Sequence, residues 1–338
     1  MQVGARTIGP GAPVFVIAEI GNNHDGSIRQ AERLIDAASE AGADAVKFQT
    51  HIAEAEMLPT TPTPPHFDEP RFAFTKRMEL TLEDHRRLKT LAEERGLVFF
   101  SAPFSVQAVE LLEEAGLDLY KVASGEVTNP PLLRAIAATG KPVLISTGMA
   151  GMDEVAAAVS VFSGRSPFVL MQCTSEYPCP PEHVNLRAMA ALAERFGVPV
   201  GLSDHTPDIV TSIAAVALGA VCVEKHFTLS KRLYGPDHHA SLEPDALRAL
   251  VDAVRQVEAA LGSPLKERDP SLDPVRATFE KSVVTASAIP AGTVIEQAML
   301  TTKRPGTGIP AAKLSTIVGR RAAHDLPANA LVLVDDVE

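Results

Sequence analysis

The 338-residue sequence predicts an α/β chain, a (β/α)8 barrel followed by a small β-rich domain. Three observations carry that expectation. Short apolar runs recur eight times before residue 262, with amphipathic helical stretches between them. The first run ends in EIGNNH at 19–24, not in the G-x-G-x-x-G turn of an open doubly wound sheet. Beyond Gly262 the helical periodicity stops, and strand-like runs separated by turns replace it.

Strands are expected at 14–20, 45–49, 98–101, 119–122, 142–146, 168–172, 198–202 and 221–225. Each is a nearly unbroken apolar run, as strands covered on both faces of a parallel sheet require. Helices are expected at 28–41, 83–95, 106–115, 131–139, 152–162, 186–196, 208–218 and 244–261. In the first, Ala31, Leu34, Ile35 and Ala38 share one face and Gly42 supplies the stop. The last follows a capping signal, Ser241 with Glu243 and Asp245 behind it. The connection over 53–80 carries Pro59, Pro62, Pro64, Pro65 and Pro70, the profile of a functional lid or a partly disordered loop. In the tail, IPAGTV at 289–294 is echoed by LPANAL at 326–331, as in a pseudo-symmetric β domain. So small a domain needs something to dock on. The domain plan is a barrel over 1–262, a polar, charged linker over 263–282 and a β-rich domain over 283–338.

Hydrophobic residues make up 46% of the chain, enough for a large core. The net charge of -11, without a block of like charges, excludes nucleic acid as the main partner, because a phosphate backbone needs a basic footprint. Cys173, Cys179 and Cys222 form no CxxC pair and no disulfide framework, which suits a reducing cytoplasm. Residues 1–11 do not resemble a signal peptide, and no apolar run reaches the roughly 18 residues of a membrane span.

Barrels of this kind do their chemistry at the C-terminal ends of the strands. Here every such end is polar. In chain order they offer Glu19 with Asn22, Asn23 and His24; Lys47 and Gln49; Ser101; Lys121, Ser124 and Glu126; Ser146 and Thr147; Thr174, Ser175 and Tyr177; Ser203, Asp204 and His205; and Glu224, Lys225 and His226. His205 and His226 fall at matching depth on neighbouring strands, about 5 Å apart. They read either as a shared metal site with open positions or as hydrogen-bonded rim residues. Lys47 and Lys121 are embedded in apolar strand sequence. They imply either an anion between them, aided by Ser101, Ser124 and Ser146, or an ion-pair network with Glu19, Glu126 or Glu224. Glu19, Glu126 and Asp237 are the candidate acid–base groups. His238 and His239 lie off the strands and read as surface or substrate-contacting residues.

The stretches IAEIGNNHDG at 17–26, VKFQT at 46–50, STGM at 146–149, GLSDHT at 201–206, EKHFT at 224–228 and GPDH at 235–238 resemble the bacterial N-acetylneuraminate (sialic acid) synthase family. The tail, with KRPGTG at 303–308, resembles that family's antifreeze-like (SAF, β-clip) domain. The match runs in order over nearly the whole chain. The resemblance implies a transferase that condenses phosphoenolpyruvate with N-acetylmannosamine, or a related N-acetylated 6-deoxy sugar, and water. Legionaminic, pseudaminic and spore-coat sugar synthases are the alternatives within it. It implies a divalent metal, usually Mn2+ with Mg2+ or Co2+ as substitutes, on His205 and His226. It implies phosphoenolpyruvate on Lys47, Lys121, Ser124, Ser146, Ser203 and Tyr177, with Ser175 beside them. It implies a sugar against Gln49, Glu126 and Asp237, and a domain-swapped homodimer in which Arg304 reaches the partner's site. Glu19 and Glu126 both remain open as the general base. The chain departs from the family pattern at Ala102 and Ser175. A non-catalytic carbohydrate-binding protein would show a degenerate rim, and this rim is complete.

Overall fold

A computed structural model describes residues 1–64 and 67–338, so Pro65 of the proline-rich connection lies outside the described residues. The chain forms two compact units, Met1–Gly262 and Ser263–Glu338. In the first, eight strands close into a parallel barrel: β1 (Phe15–Gly21), β2 (Ala45–Thr50), β3 (Val98–Pro103), β4 (Tyr120–Val122), β5 (Val143–Ser146), β6 (Phe168–Cys173), β7 (Val200–Asp204) and β8 (Cys222–His226). Closure comes from β8, which pairs with both β7 and β1.

Side chains alternate along each strand, so the barrel has two cores. Val16, Ala18, Ile20, Val46 and Phe48 point outward against the surrounding helices. Phe15, Ile17, Ala45, Phe100, Leu119 and Leu144 point inward and fill the lumen. The lumen's lower end is closed by Val3 and Ile8, from and beside a short hairpin of Gln2–Val3 with Arg6–Thr7. This parity decides which polar residues reach the barrel mouth.

The helices form where their caps and apolar stripes dictate. Helix α1 (Ile28–Glu40) is capped by Ser27, whose hydroxyl accepts from Gln30 N, and buries Ala31, Leu34, Ile35 and Ala38. Helix α2 (Leu82–Glu94) starts in a Thr81–Asp84 capping box. The capping expectation at Ser241 is corrected: the helix Pro244–Leu261 is entered from Glu243 without a side-chain cap. Ser241 instead accepts from Asn23 Nδ2 (2.9 Å) and donates to the Asp237 carbonyl (2.6 Å), fixing the loop after β8. The 53–80 connection holds two helices, Ala53–Glu56 and Arg71–Met78, the latter burying Phe74, Thr75 and Met78.

In the second unit the linker expectation needs amendment, because the helix Asp273–Phe279 lies within 263–282. Strands β9 (Ser282–Thr285) and β10 (Leu300–Lys303) pair antiparallel. The two sequence echoes meet: Ile289 and Leu326 exchange backbone hydrogen bonds of 2.9 and 2.8 Å. Gly292 and Asn329, at equivalent places in the echo, both take left-handed conformations (φ 74° and 59°). Val283, Ile289, Ile295 and Val332 form that unit's own core. Among the described residues no helix is long and apolar enough to cross a membrane.

On the outer face of the barrel, Lys225 and Asp204 form a buried ion pair (3.3 Å). Burial alone would raise the Asp204 carboxyl, but Lys225, Ser212 and Thr211 hold it below the usual carboxylate range. A depressed folded value means stabilisation that is present above the unfolded pKa and lost as pH falls below about 4. Asp204→Asn strands a buried ammonium and is expected to cost about 3–5 kcal/mol in urea unfolding at neutral pH, with the gap closing in acid. A wild-type midpoint in that variant would show that the pair contributes nothing.

Candidate active site

The inward rows that fill the lumen continue upward as polar side chains. Phe15 and Ile17 give way to Glu19, Ala45 to Lys47 and Gln49, Leu119 to Lys121, Leu144 to Ser146, and Cys222 to Glu224 and His226. They line a cavity of about 540 Å³ at the barrel mouth, a volume typical of a small-molecule site.

Four buried charges form its floor. Lys47 Nζ lies 2.8 Å from Glu19 Oε2 and 3.6 Å from Glu224 Oε1. Lys121 Nζ donates to Glu224 Oε1 at 2.9 Å, and Ser203 Oγ donates to the same oxygen at 2.9 Å. Of the two sequence readings for the lysines, the ion-pair network is realised, with Glu19 and Glu224 as partners. The environment separates the carboxylates. Burial would raise Glu224, yet Lys121 and Lys47 bring it down to about 2. Burial raises Glu19, and the adjacent Glu224 adds to the rise against the pull of Lys47. A chain of contacts leads outward from Glu19: Gln49 Nε2 donates to Glu19 Oε1 (3.0 Å), and His51 bridges Gln49 Oε1 (3.2 Å) and Glu56 (2.9 Å).

Above the floor, the His205 and His226 rings lie 5.4 Å apart, and Tyr177 packs on His205 at 4.1 Å. His205 Nδ1 donates to the Thr174 carbonyl at 2.7 Å, which leaves Nε2 with its lone pair. Burial lowers His226 to about 4, so its imidazole is neutral at physiological pH. His226 Nδ1 is buried without a hydrogen-bond partner, 3.8 Å from Asp237 Oδ2. These are the two side chains suited to a metal; among the described residues no three His, Cys, Asp or Glu side chains converge on one point. Ser146 Oγ and Glu224 Oε2 are likewise buried and unsatisfied, as groups awaiting a polar ligand are.

Twelve of the residues assigned a role from sequence share this cavity, with the strand-end residues Asn22 and Glu224 beside them: Glu19, Lys47, Gln49, Lys121, Ser124, Ser146, Ser175, Tyr177, Ser203, His205, His226 and Asp237. Glu126 does not line it. It lies on the short turn Ser124–Glu126, where it accepts from Asn129 Nδ2 (2.7 Å), and Asn129 is the cap of the helix Pro130–Ala138. Ser101 is also displaced from its expected role. It has the outward parity of β3 and bonds Thr50 Oγ1 (2.7 Å), which bonds His85 (2.9 Å). His238 is buried and bonded to Thr228 (2.7 Å), a structural pin rather than a surface or substrate contact. Arg304 belongs to the second unit, where its Nε donates to the Phe279 carbonyl (2.9 Å).

Sequence reasoning did not single out Arg71 and Phe104, which also line the cavity. Phe104 directly follows β3 but is apolar, and only the proline-rich character of the 53–80 connection marked the segment that delivers Arg71.

The model of the NeuB family matches residues 34–266, and that of the SAF domain matches residues 280–338. The chain belongs to the NeuB family. It is 39% identical over 328 residues to N,N'-diacetyllegionaminic acid synthase of Campylobacter jejuni, covering 94% of this chain and 98% of that protein. It is also 39% identical to human N-acetylneuraminate-9-phosphate synthase over 324 residues, 94% of this chain and 90% of that one. The crystal structure of N-acetylneuraminic acid (sialic acid) synthetase from Leptospira borgpetersenii in complex with citrate superposes with a TM-score of 0.73 at 35% identity. It covers 81% of this chain and 94% of that chain.

Around Gly148 this NeuB-family chain leaves no room for a side chain. The Gly148 N–H donates to Ser124 Oγ (3.0 Å), and a Cβ there would lie 2.7 Å from Ser175 Oγ and 2.8 Å from Cys173 Sγ and Ser124 Oγ. Gly148→Ala is therefore expected to splay the hydroxyls and, if they hold the anion that the sequence implies, to weaken binding of inorganic phosphate by about 10- to 100-fold, the loss of one or two charge-assisted hydrogen bonds. Calorimetric titration checks this; unchanged affinity would place the anion elsewhere.

Proposed function

We propose that the chain is a nonulosonic acid synthase, a carbon–carbon bond-forming transferase. It condenses phosphoenolpyruvate with N-acetylmannosamine, or a related N-acetylated 6-deoxy sugar, and water, and releases phosphate. One observation carries the reading. The buried Lys47 and Lys121 share a cavity with Ser124, Ser146 and Ser203, below two histidines. Phosphoenolpyruvate carries a phosphate and a carboxylate, which two ammonium groups and a set of hydroxyls complement.

The reaction joins C3 of phosphoenolpyruvate to the aldehyde carbon of the open-chain sugar. Positive charge develops at C2, water adds there, and the tetrahedral centre collapses to a ketone as the C–O bond to phosphate breaks. The leaving phosphate takes the electron pair. Glu19, whose carboxyl burial shifts upward, is the group we assign to protonate the aldehyde oxygen as the C–C bond forms. As a carboxylate it then takes one from the attacking water. Between the two glutamates, the position of Glu19 in the cavity lining supports it as the base. Glu224, held ionised, fixes the two lysines and Ser203 at the floor. Asp237, whose Oδ2 accepts from Asn22 N and Nδ2, faces the sugar with Gln49.

A divalent cation, Mn2+ or in its place Mg2+ or Co2+, fits His205 Nε2 and neutral His226, and when bound supplies Lewis-acid polarisation of the sugar's carbonyl oxygen. Three buried free cysteines suit a reducing cytoplasm. The assembly we propose is a domain-swapped homodimer in which exposed Arg304 completes the partner's pocket.

Phosphate release from phosphoenolpyruvate is expected with an N-acetylated mannose derivative and Mn2+, and to be lost in His226→Ala. Full activity of that variant without added metal would overturn the metal assignment. For the assembly, mixing inactive His226→Ala with Arg304→Ala chains is expected to restore activity that neither variant shows alone. No recovery after subunit exchange would confine each site to one chain.

A further inference from the structure

Three non-histidine cations line the cavity, and two of them, the lysines assigned to phosphoenolpyruvate, already have carboxylate neighbours: Lys47 has Glu19 and Lys121 has Glu224. Arg71 is the third. Among the described residues its guanidinium makes no ion pair or hydrogen bond, and it rests over the Phe67 ring at 4.6 Å. A half-buried guanidinium presents several donors in a fixed plane, so leaving them unmet is costly unless a ligand meets them.

The segment that carries Arg71 is already anchored. Arg77 pairs with Asp25 and Glu69 (2.5 Å each), Lys76 with Glu54 (2.9 Å) and Glu79 (3.0 Å), and Glu79 accepts from Ala53 N (2.7 Å). Phe74 and Met78 are buried beneath it. Arg71 N donates to Thr63 Oγ1 (3.1 Å), tying the start of the helix to the proline-rich run. The arginine is thus held in place before any ligand arrives.

Its surroundings restrict what that ligand can be. Lys47 and Lys121 sit on strand rows in the lumen, whereas Arg71 comes from the connection over the mouth, on a wall with Pro62, Pro64, Phe67 and Phe104. The charges that act on the guanidinium are the carboxylates of Glu56 and Asp237, not a second cation. A phosphate dianion there would face one arginine, two carboxylates and an apolar wall, and would lose more hydration than it regains. An amide carbonyl adds no net charge, and its one oxygen accepts from the guanidinium edge. Its methyl group packs on proline and aromatic carbon.

Resting on the function proposed above, we infer that Arg71 is the specificity-determining residue for the sugar. It donates to a neutral acyl carbonyl remote from the reacting aldehyde, and the cavity therefore selects an uncharged, doubly acylated amino sugar with an apolar terminus over a sugar phosphate.

The test is steady-state phosphate release by the full chain with Mn2+ and three sugars: 2,4-diacetamido-2,4,6-trideoxymannose, N-acetylmannosamine and N-acetylmannosamine 6-phosphate. Wild type is expected to show its highest kcat/KM with the diacetamido sugar. Arg71→Ala is expected to raise the KM for that sugar about 10- to 100-fold, the loss of a charge-assisted hydrogen bond. The KM for phosphoenolpyruvate and the Tm should stay at wild-type values, and N-acetylmannosamine should lose less. Arg71→Lys should not restore affinity, because the compact, strongly hydrated ammonium cannot take the planar guanidinium's place over the Phe67 ring. Preference for the 6-phosphate, an unchanged sugar KM in Arg71→Ala, or a rise confined to phosphoenolpyruvate would each overturn the inference. A wild type inert toward all three sugars would overturn the proposed function and this inference with it. An active wild type with an unaffected Arg71→Ala variant overturns the inference alone.

Discussion

Placing two lysines and two glutamates at the base of a barrel mouth is expensive, because each ion gives up several kcal/mol of hydration. The arrangement persists because Glu224 serves both lysines at once while Glu19 takes the other side of Lys47. The alternating chain Glu19–Lys47–Glu224–Lys121 ties four strands together, β1, β2, β8 and β4, across the lumen. Removing any one member would leave an uncompensated charge in a dry environment. The rest of the site is built from that quartet. Gln49 and Ser203 are oriented by its carboxylates, and Gln49 in turn positions His51.

Charge balance also explains why two carboxylates a few ångströms apart can behave differently. Glu224 sees both ammonium groups and a hydroxyl, so it stays ionised. Glu19 sees one ammonium group directly and feels the negative charge of Glu224, so it holds its proton more tightly. Pairs of titratable groups pushed in opposite directions mark a division of labour between a fixed charge and a proton carrier.

The fold was legible because a parallel barrel writes itself into sequence as continuous apolar runs, and eight of them can be counted without knowing their order in space. Most of the mouth was legible for the same reason. Once a strand's parity is known, residues two apart share a face, and Glu19, Lys47, Lys121, Ser146, Glu224 and His226 follow from the lumen rows beneath them. The misplacements come where that rule was not applied or does not reach. Ser101 sits at a strand end but with outward parity, next to Phe100 in the lumen. Glu126 lies beyond the end of β4, where a single turn rotates Ser124 toward the cavity and leaves Glu126 bonded to a helix cap. Arg71 is beyond any periodicity argument, because the connection that delivers it is held by ion pairs distant in sequence.

That last distinction bears on how such a barrel could hold its chemistry fixed while changing its substrate. The quartet and His226 stand on strands whose register is locked by the whole lumen, and His205 directly follows one, so a change in any of them propagates to neighbouring strands. Arg71 stands on a segment joined to the barrel through surface ion pairs and two or three buried apolar side chains. Its side chain contacts Phe67 and the cavity, and carries no part of the barrel's hydrogen-bond ladder. A substitution there alters what the mouth accepts without disturbing the four charges below. The site thus separates physically into a rigid floor, where electrostatics must be balanced to fractions of an ångström, and a mouth whose chemistry is set by a few side chains on one connection.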